Sequence, residues 1–122
     1  MFEEKTGKAL EEARTKLDTA VDYLINGGPD VVKKIWYAEE AAEYSSILYS
    51  LTYGLEDENP PPPVRRRNAD PVSLVKESKE LLRRATELRA KSPSEGYGHL
   101  RTAVDKLRQS HHIVERSISK KS

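Results

Sequence analysis

Four consecutive prolines, Pro60 to Pro63, divide this chain of 122 residues. Proline removes a backbone donor and fixes φ, so neither a helix nor a central strand runs through such a stretch. On either side of it the apolar residues recur every three or four positions, the period of amphipathic helices. Each half is broken once more by proline, at Pro29 and at Pro93. No stretch shows the two-residue alternation of a strand. The pattern predicts an all-α single domain over 1–122, a four-helix bundle made of two helical hairpins joined by a Pro-rich linker. The hairpins span 2–55 and 70–118, and the Pro/Arg-rich linker 56–69.

The first helix is expected from about Phe2 to Asn26, with Ala9, Leu10, Ala13, Leu17, Ala20, Val21, Leu24 and Ile25 as its stripe. Gly27-Gly28-Pro29 ends it, by the usual glycine-then-proline stop. Asp30 is the expected cap of a second helix that runs to about Tyr53. Asp70-Pro71 opens the third helix, a capping residue followed by proline at the first helical position. Val75, Ser78, Leu81, Leu82, Ala85 and Leu88 form its stripe, and it ends before Ser92-Pro93. The fourth runs from about Ser94 to Ser117 on Leu100, Ala103, Val104, Leu107, His111, Val114 and Ile118. Gly96 and Gly98 are expected to weaken its first turn.

Only 36% of the residues are hydrophobic, against 34% charged. So thin a core predicts a protomer that completes itself by oligomerising, a homo-oligomer. The net charge of +1 gives no global field to draw in nucleic acid or an anionic membrane. Without cysteine there is no disulfide and no thiolate metal site. The N-terminus is acidic and lacks an apolar signal core, and no apolar run reaches the roughly 18 residues of a membrane span. These features predict a cytoplasmic protein with no membrane partner.

The second helix carries the chemistry. Its interior reads Ile35-Trp36-Tyr37-Ala38-Glu39-Glu40-Ala41-Ala42-Glu43-Tyr44, apolar or small on nearly every side except for its charges. Such a helix is expected at the centre of a bundle. At about 100° per residue, Glu39 and Glu43 fall among Val32, Ile35, Trp36 and Ile47. A carboxylate on an apolar face needs an ion pair, hydrogen bonds or a metal. A divalent cation would also relieve the repulsion among Glu39, Glu40 and Glu43. Glu77 and Glu80 form a second acidic pair on the third helix. If the second and third helices pack side by side, the two pairs face each other and make an all-oxygen site, suited to Mg²⁺ or Mn²⁺. Against this, Glu77 and Glu80 interleave with Lys76, Lys79, Arg83 and Arg84 at the spacing of ordinary helical ion pairs.

Leu24 to Ile35, followed by Glu39-Glu40-Ala41-Ala42-Glu43 and then Glu77-Ser78-Lys79-Glu80, resembles the all-α nucleotide pyrophosphohydrolases. These are the MazG-like and phosphoribosyl-ATP pyrophosphohydrolase enzymes, whose pattern is Glu-Glu-x-x-Glu on one helix and Glu-x-x-Asp on the next. The resemblance implies a Mg²⁺-dependent nucleoside triphosphate pyrophosphohydrolase. Glu40, Glu43, Glu77 and Glu80 would then be metal ligands, and Glu39 a ligand or the residue that orients the attacking water. Lys33, Lys34 and Arg83 would contact nucleotide phosphates. Glu80 stands where the family has Asp, and the linker is longer than the family's connection. Both departures raise the alternative of a degenerate relative. Trp36, Tyr37 and Tyr44 would stack on a base or pack in a core or dimer interface.

Two further functions fit the sequence. One is a non-enzymatic adaptor or structural subunit of a larger assembly, on the strength of the small core and the aromatic second helix. The other is nucleic-acid binding through the Arg65-Arg66-Arg67 arm. His111 falls in the apolar stripe and His112 points away from it, so the two do not ligate one ion.

Overall fold

The computed structural model describes residues 2–59, 62 and 69–121. The arginine arm, Arg65 to Arg67, lies outside the described residues. Among those described there is no strand. The elements are α1 (Phe2–Asn26), α2 (Val31–Tyr53), α3 (Pro71–Leu88) and α4 (Pro93–Lys121). They form the expected four-helix bundle of two hairpins. α1 packs along α2 and α3 along α4, while α2 also packs on α4 and α1 on α3.

The helices therefore run around the bundle in the order α1, α2, α4, α3. α2 and α3 stand on a diagonal, and no pair of their described Cα atoms comes within 8 Å. The side-by-side packing on which a shared acidic site depends is absent. Ring order follows from how each stripe is used. Small residues on α2 (Ala38, Ala42, Ser45) and on α1 (Ala9, Ala13, Ala20) are fully or nearly buried and let these backbones approach. Ser78 and Ala103 do the same between α3 and α4, and the Ser78 hydroxyl lies 3.0 Å from the Ala103 carbonyl oxygen across the seam. Leu10, Leu17, Ile35, Leu74, Val75, Leu82, Leu100, Val104 and Leu107 fill the centre.

The helix ends show which local signals acted. Asp70 caps α3 as expected: its carboxylate accepts from the Val72 and Ser73 amides, both at 3.3 Å. Asp30 does not cap α2. It is left-handed, at φ 69°, and its side chain makes no capping hydrogen bond. The turn from Gly27 to Asp30 uses that conformation to reverse the chain, which aspartate tolerates better than most residues. At the other end Gly54, at φ 65°, lets the Leu55 amide donate back to Ser50 O at 2.8 Å. This glycine-terminated ending satisfies a terminal carbonyl and turns Leu55 into the core.

α4 starts at Pro93, with Gly96 and Gly98 inside its helical run. Gly96 is there for space. A Cβ on it would lie 2.2 Å from the Tyr49 hydroxyl oxygen and 3.2 Å from Ala85 O. Tyr49 is fully buried, lies tilted against Tyr53 and stacked with Tyr97, and reaches across the diagonal to Ala85 O at 3.5 Å. Burial, reinforced by Tyr53, pushes its phenol up from 10 to about 12.

Two expectations follow. In an unstrained helix, Gly→Ala stabilises by up to about 1 kcal/mol. Here overpacking against a rigid buried ring wins, and Gly96→Ala should destabilise by about 1–3 kcal/mol in urea unfolding. Tyr49→Phe in the same chain should recover part of that loss. The raised phenol pKa means that folding favours the neutral form. Its contribution is complete below pH 10 and is lost as pH rises toward 12. Alkaline melts of wild type should fall through that window more steeply than those of Tyr49→Phe.

Candidate functional site

α2 presents two different surfaces. The side turned to α4 carries Glu39 and Glu43. Glu39 is nearly buried, with its side chain 13% exposed. Charge from α4 meets both carboxylates. Arg108 Nε donates to Glu39 Oε1 at 3.2 Å, and the His111 Nδ1 pairs with Glu39 Oε2 at 3.0 Å. Arg101 Nη1 donates to Glu43 Oε1 at 3.0 Å and to the Ser46 hydroxyl at 2.9 Å. Glu43 Oε2 accepts no hydrogen bond, but the Arg108 guanidinium stands 3.6 Å from it. Asp105 and Glu115 complete the row, against Arg108 at 3.9 Å and His111 Nε2 at 3.4 Å. The pairs run in opposite sequence order on the two helices, as antiparallel packing requires.

The remaining expected ligands are elsewhere. Glu77 lies 3.7 Å from Lys106 on α4. Glu80 is held by Arg83 on its own helix, with Arg84 at 3.6 Å. The Arg83 hydrogen bond lowers the Glu80 carboxyl below the usual range, and the same pair, with Glu87, raises Arg83. Glu40 faces outward, away from the other four. α4 stands between Glu39 and Glu43 on one side and Glu77 on the other. Among the described residues no three acidic or histidine side chains gather where an ion could sit. This arrangement does not bring Glu40, Glu43, Glu77 and Glu80 together.

The expected phosphate contacts are likewise dispersed. Lys33 is exposed on the outer surface of α2. Lys34 is seated over the Tyr23 and Tyr37 rings, at 5.2 and 5.9 Å. Arg83, on the diagonal helix, is engaged by Glu80 and Glu87. A cleft of about 820 Å³ lies between the start of α1 and the end of α3. It is lined by Glu3, Glu4, Lys8, Glu11, Tyr53 and Arg89, remote from the glutamates of α2.

The second surface of α2 points out of the bundle. Trp36, Tyr37, Tyr44, Ile47 and Leu51 are 44, 37, 55, 50 and 46% exposed. α2 is thus buried along one side only, not at the bundle's centre. At 100° per residue the five side chains share an arc of about 100° and extend along roughly 22 Å of helix. Lys33 and Glu40 are the charged members of that stripe. Typical areas of ~150–250 Å² for large side chains make the exposed part roughly 500 Å². That is the upper range for the largest apolar patch of a monomer. Glu12 and Lys16 of α1 flank it across a groove shared with Tyr37, Glu40 and Tyr44. Arg101 and Arg108 flank it on the α4 side.

Arg101 and Arg108 were absent from the sequence-derived site. Their signal was a seven-residue spacing on the flank of the Leu100, Val104 and Leu107 stripe, the position from which a helix meets charges on its neighbour. Among the described residues no helix is long and apolar enough to cross a membrane. A scan of family models and searches of curated proteins and solved structures found no match.

The ion-pair row makes a stability prediction. Arg108→Ala strips Glu39 and Glu43 of a shared partner and should cost about 2 kcal/mol, the scale of a hydrogen bond to a charged group. Glu39→Gln should cost clearly less in the Arg108→Ala background than in wild type. Additive losses in urea unfolding would mean that the two residues are not coupled.

Proposed function

We propose that this chain is a non-enzymatic helical-bundle adaptor, a subunit of a larger assembly, whose working surface is the outer face of α2. The carrying observation is the aromatic and aliphatic stripe Trp36, Tyr37, Tyr44, Ile47 and Leu51, five of the exposed large apolar residues gathered on one face of one helix. Leaving that much apolar surface in water is unfavourable. Tryptophan and tyrosine are the residues most enriched in the energetic centres of protein interfaces, with charged residues around the rim.

A Mg²⁺-dependent nucleotide pyrophosphohydrolase would require a different arrangement. Glu39 and Glu43 would have to give up Arg101, Arg108 and His111, and then meet Glu77 around α4. The ion pairs already supply the neutralisation that a metal was expected to supply, which weighs toward the adaptor. Nucleic-acid binding rests on Arg65 to Arg67, outside the described residues.

Two measurements test the proposal. A photo-crosslinking phenylalanine derivative in place of Tyr44, in the full chain within its own cells, should give a discrete protein adduct. The same group in place of exposed Lys91 should not. Absence of any adduct at position 44 would refute the docking face. Separately, purified protein with Mg²⁺ and a panel of nucleoside triphosphates should release no pyrophosphate, and Mg²⁺ should leave Tm unchanged. Mg²⁺-dependent release that is lost in Glu43→Gln would replace the adaptor with the enzyme.

A further inference from the structure

Resting on the docking face proposed above, we infer that its occupant is a second copy of this chain, held α2 against α2 in antiparallel sense about a two-fold axis. The stripe is complementary to itself. Trp36 and Tyr37 are in the first half of α2, and Tyr44 with the aliphatic Ile47 and Leu51 is in the second. An axis lying across the helices preserves each edge of the stripe, so residues of one edge meet residues of the same edge. At 100° per residue, Trp36 and Ile47 share one edge, Tyr37 and Tyr44 the other, and Lys33 and Leu51 the middle. Antiparallel pairing therefore sets Trp36 on the second copy's Ile47 and Tyr37 beside its Tyr44. The aliphatic stem of Lys33 covers its Leu51, with the ammonium reaching water.

The midpoints of these three pairs fall between residues 40 and 42. One axis thus satisfies all of them, and no large side chain of the stripe is left without a mate. Glu40 comes to lie close to the axis, with Lys16 of its own copy on the wall of the same groove.

Charge and area agree with a like partner. A net charge of +1 neither repels a second copy nor selects an oppositely charged protein. The rim contains both signs, Glu12, Lys16, Glu43, Arg101 and Arg108, along the two sides of the stripe. The roughly 500 Å² of apolar stripe, extended by that rim, approaches the ~800 Å² that each partner contributes to a standard interface.

The chain has no cysteine, so the register can be tested by placing single thiols. Sedimentation across a dilution series from about 1 mM to 1 µM should show wild type moving from a dimer, twice 13.8 kDa, to monomer. Ile47→Glu and Tyr44→Glu change exposed positions and should retain helical content and Tm. They should weaken self-association at least about 30-fold, the effect of losing an interface hot spot. With a short bifunctional thiol crosslinker, Glu40→Cys should link to its own copy and Leu51→Cys should not. A mixture of Leu51→Cys and Lys33→Cys should give the heterologous link. A wild type that is monomeric throughout, or a dimer indifferent to both glutamate variants, overturns the inference. So does self-linking of Leu51→Cys. The position-44 photo-adduct separates the two levels. A mass equal to a second copy supports this inference. An adduct with another protein and none with itself overturns it while leaving the docking face standing.

Discussion

Glu39 and Glu43 lie on a helix seam, and a carboxylate in such a place must be matched from across it. The match here comes from one element, α4, through Arg101, Arg108 and His111. That requirement joins α2 to α4 in antiparallel sense. With α1 bound to α2 by its hairpin, and α3 bound to α4 by the other, the ring closes as α1, α2, α4, α3. The diagonal of α2 and α3 follows, and so does the wide separation of the two acidic pairs. An ion pair of this type adds little net stability compared with an apolar substitute, but loss of one partner is costly. Each of these pairs joins one hairpin to the other.

Once α2 spends one side on α4 and the adjoining side on α1, the third side has no helix left to cover it. A four-member ring gives each helix two neighbours. The aromatic and aliphatic residues at 36, 37, 44, 47 and 51 stay in water for that reason. On the other helices the side away from the core is mainly charged, as in Lys76, Lys79, Glu80, Arg83, Arg84 and Glu87 of α3. Isolated exceptions are Ile25 near the end of α1 and Ile118 near the end of α4, both expected in buried stripes and both exposed. On α2 apolar residues line both sides along the length of the helix, a pattern that by sequence reads as deep burial. The same residues suit an interface, because burial in a core and burial against a partner place the same demand on side-chain chemistry.

Particular residues show where sequence reasoning reached and where it stopped. Asp70-Pro71 marked a helix start correctly, since a cap depends on a few adjacent residues. Asp30 carried the same signal and did another task, because the short turn after Gly27 needed a left-handed residue there. Gly96 weakens a helix by local propensity, but here it is clearance for Tyr49, a residue 47 positions earlier in the chain. Glu39 and Glu43 were identified as needing compensation. The compensating groups are 58 to 72 positions away, beyond the reach of any local pattern.

By itself the sequence determined four helices, their approximate ends, their pairing into two hairpins across the prolines, and most of the buried stripes of α1, α3 and α4. All of these follow from local rules: the 3.6-residue period, caps, and the inability of proline to continue a helix. Tertiary structure alone decided the order of the helices around the bundle, the cations that neutralise the α2 carboxylates, and the face of α2 left to solvent. Those depend on which hairpin surface meets which, a matter of complementary charge and close approach between segments distant in the chain, and no local pattern encodes it.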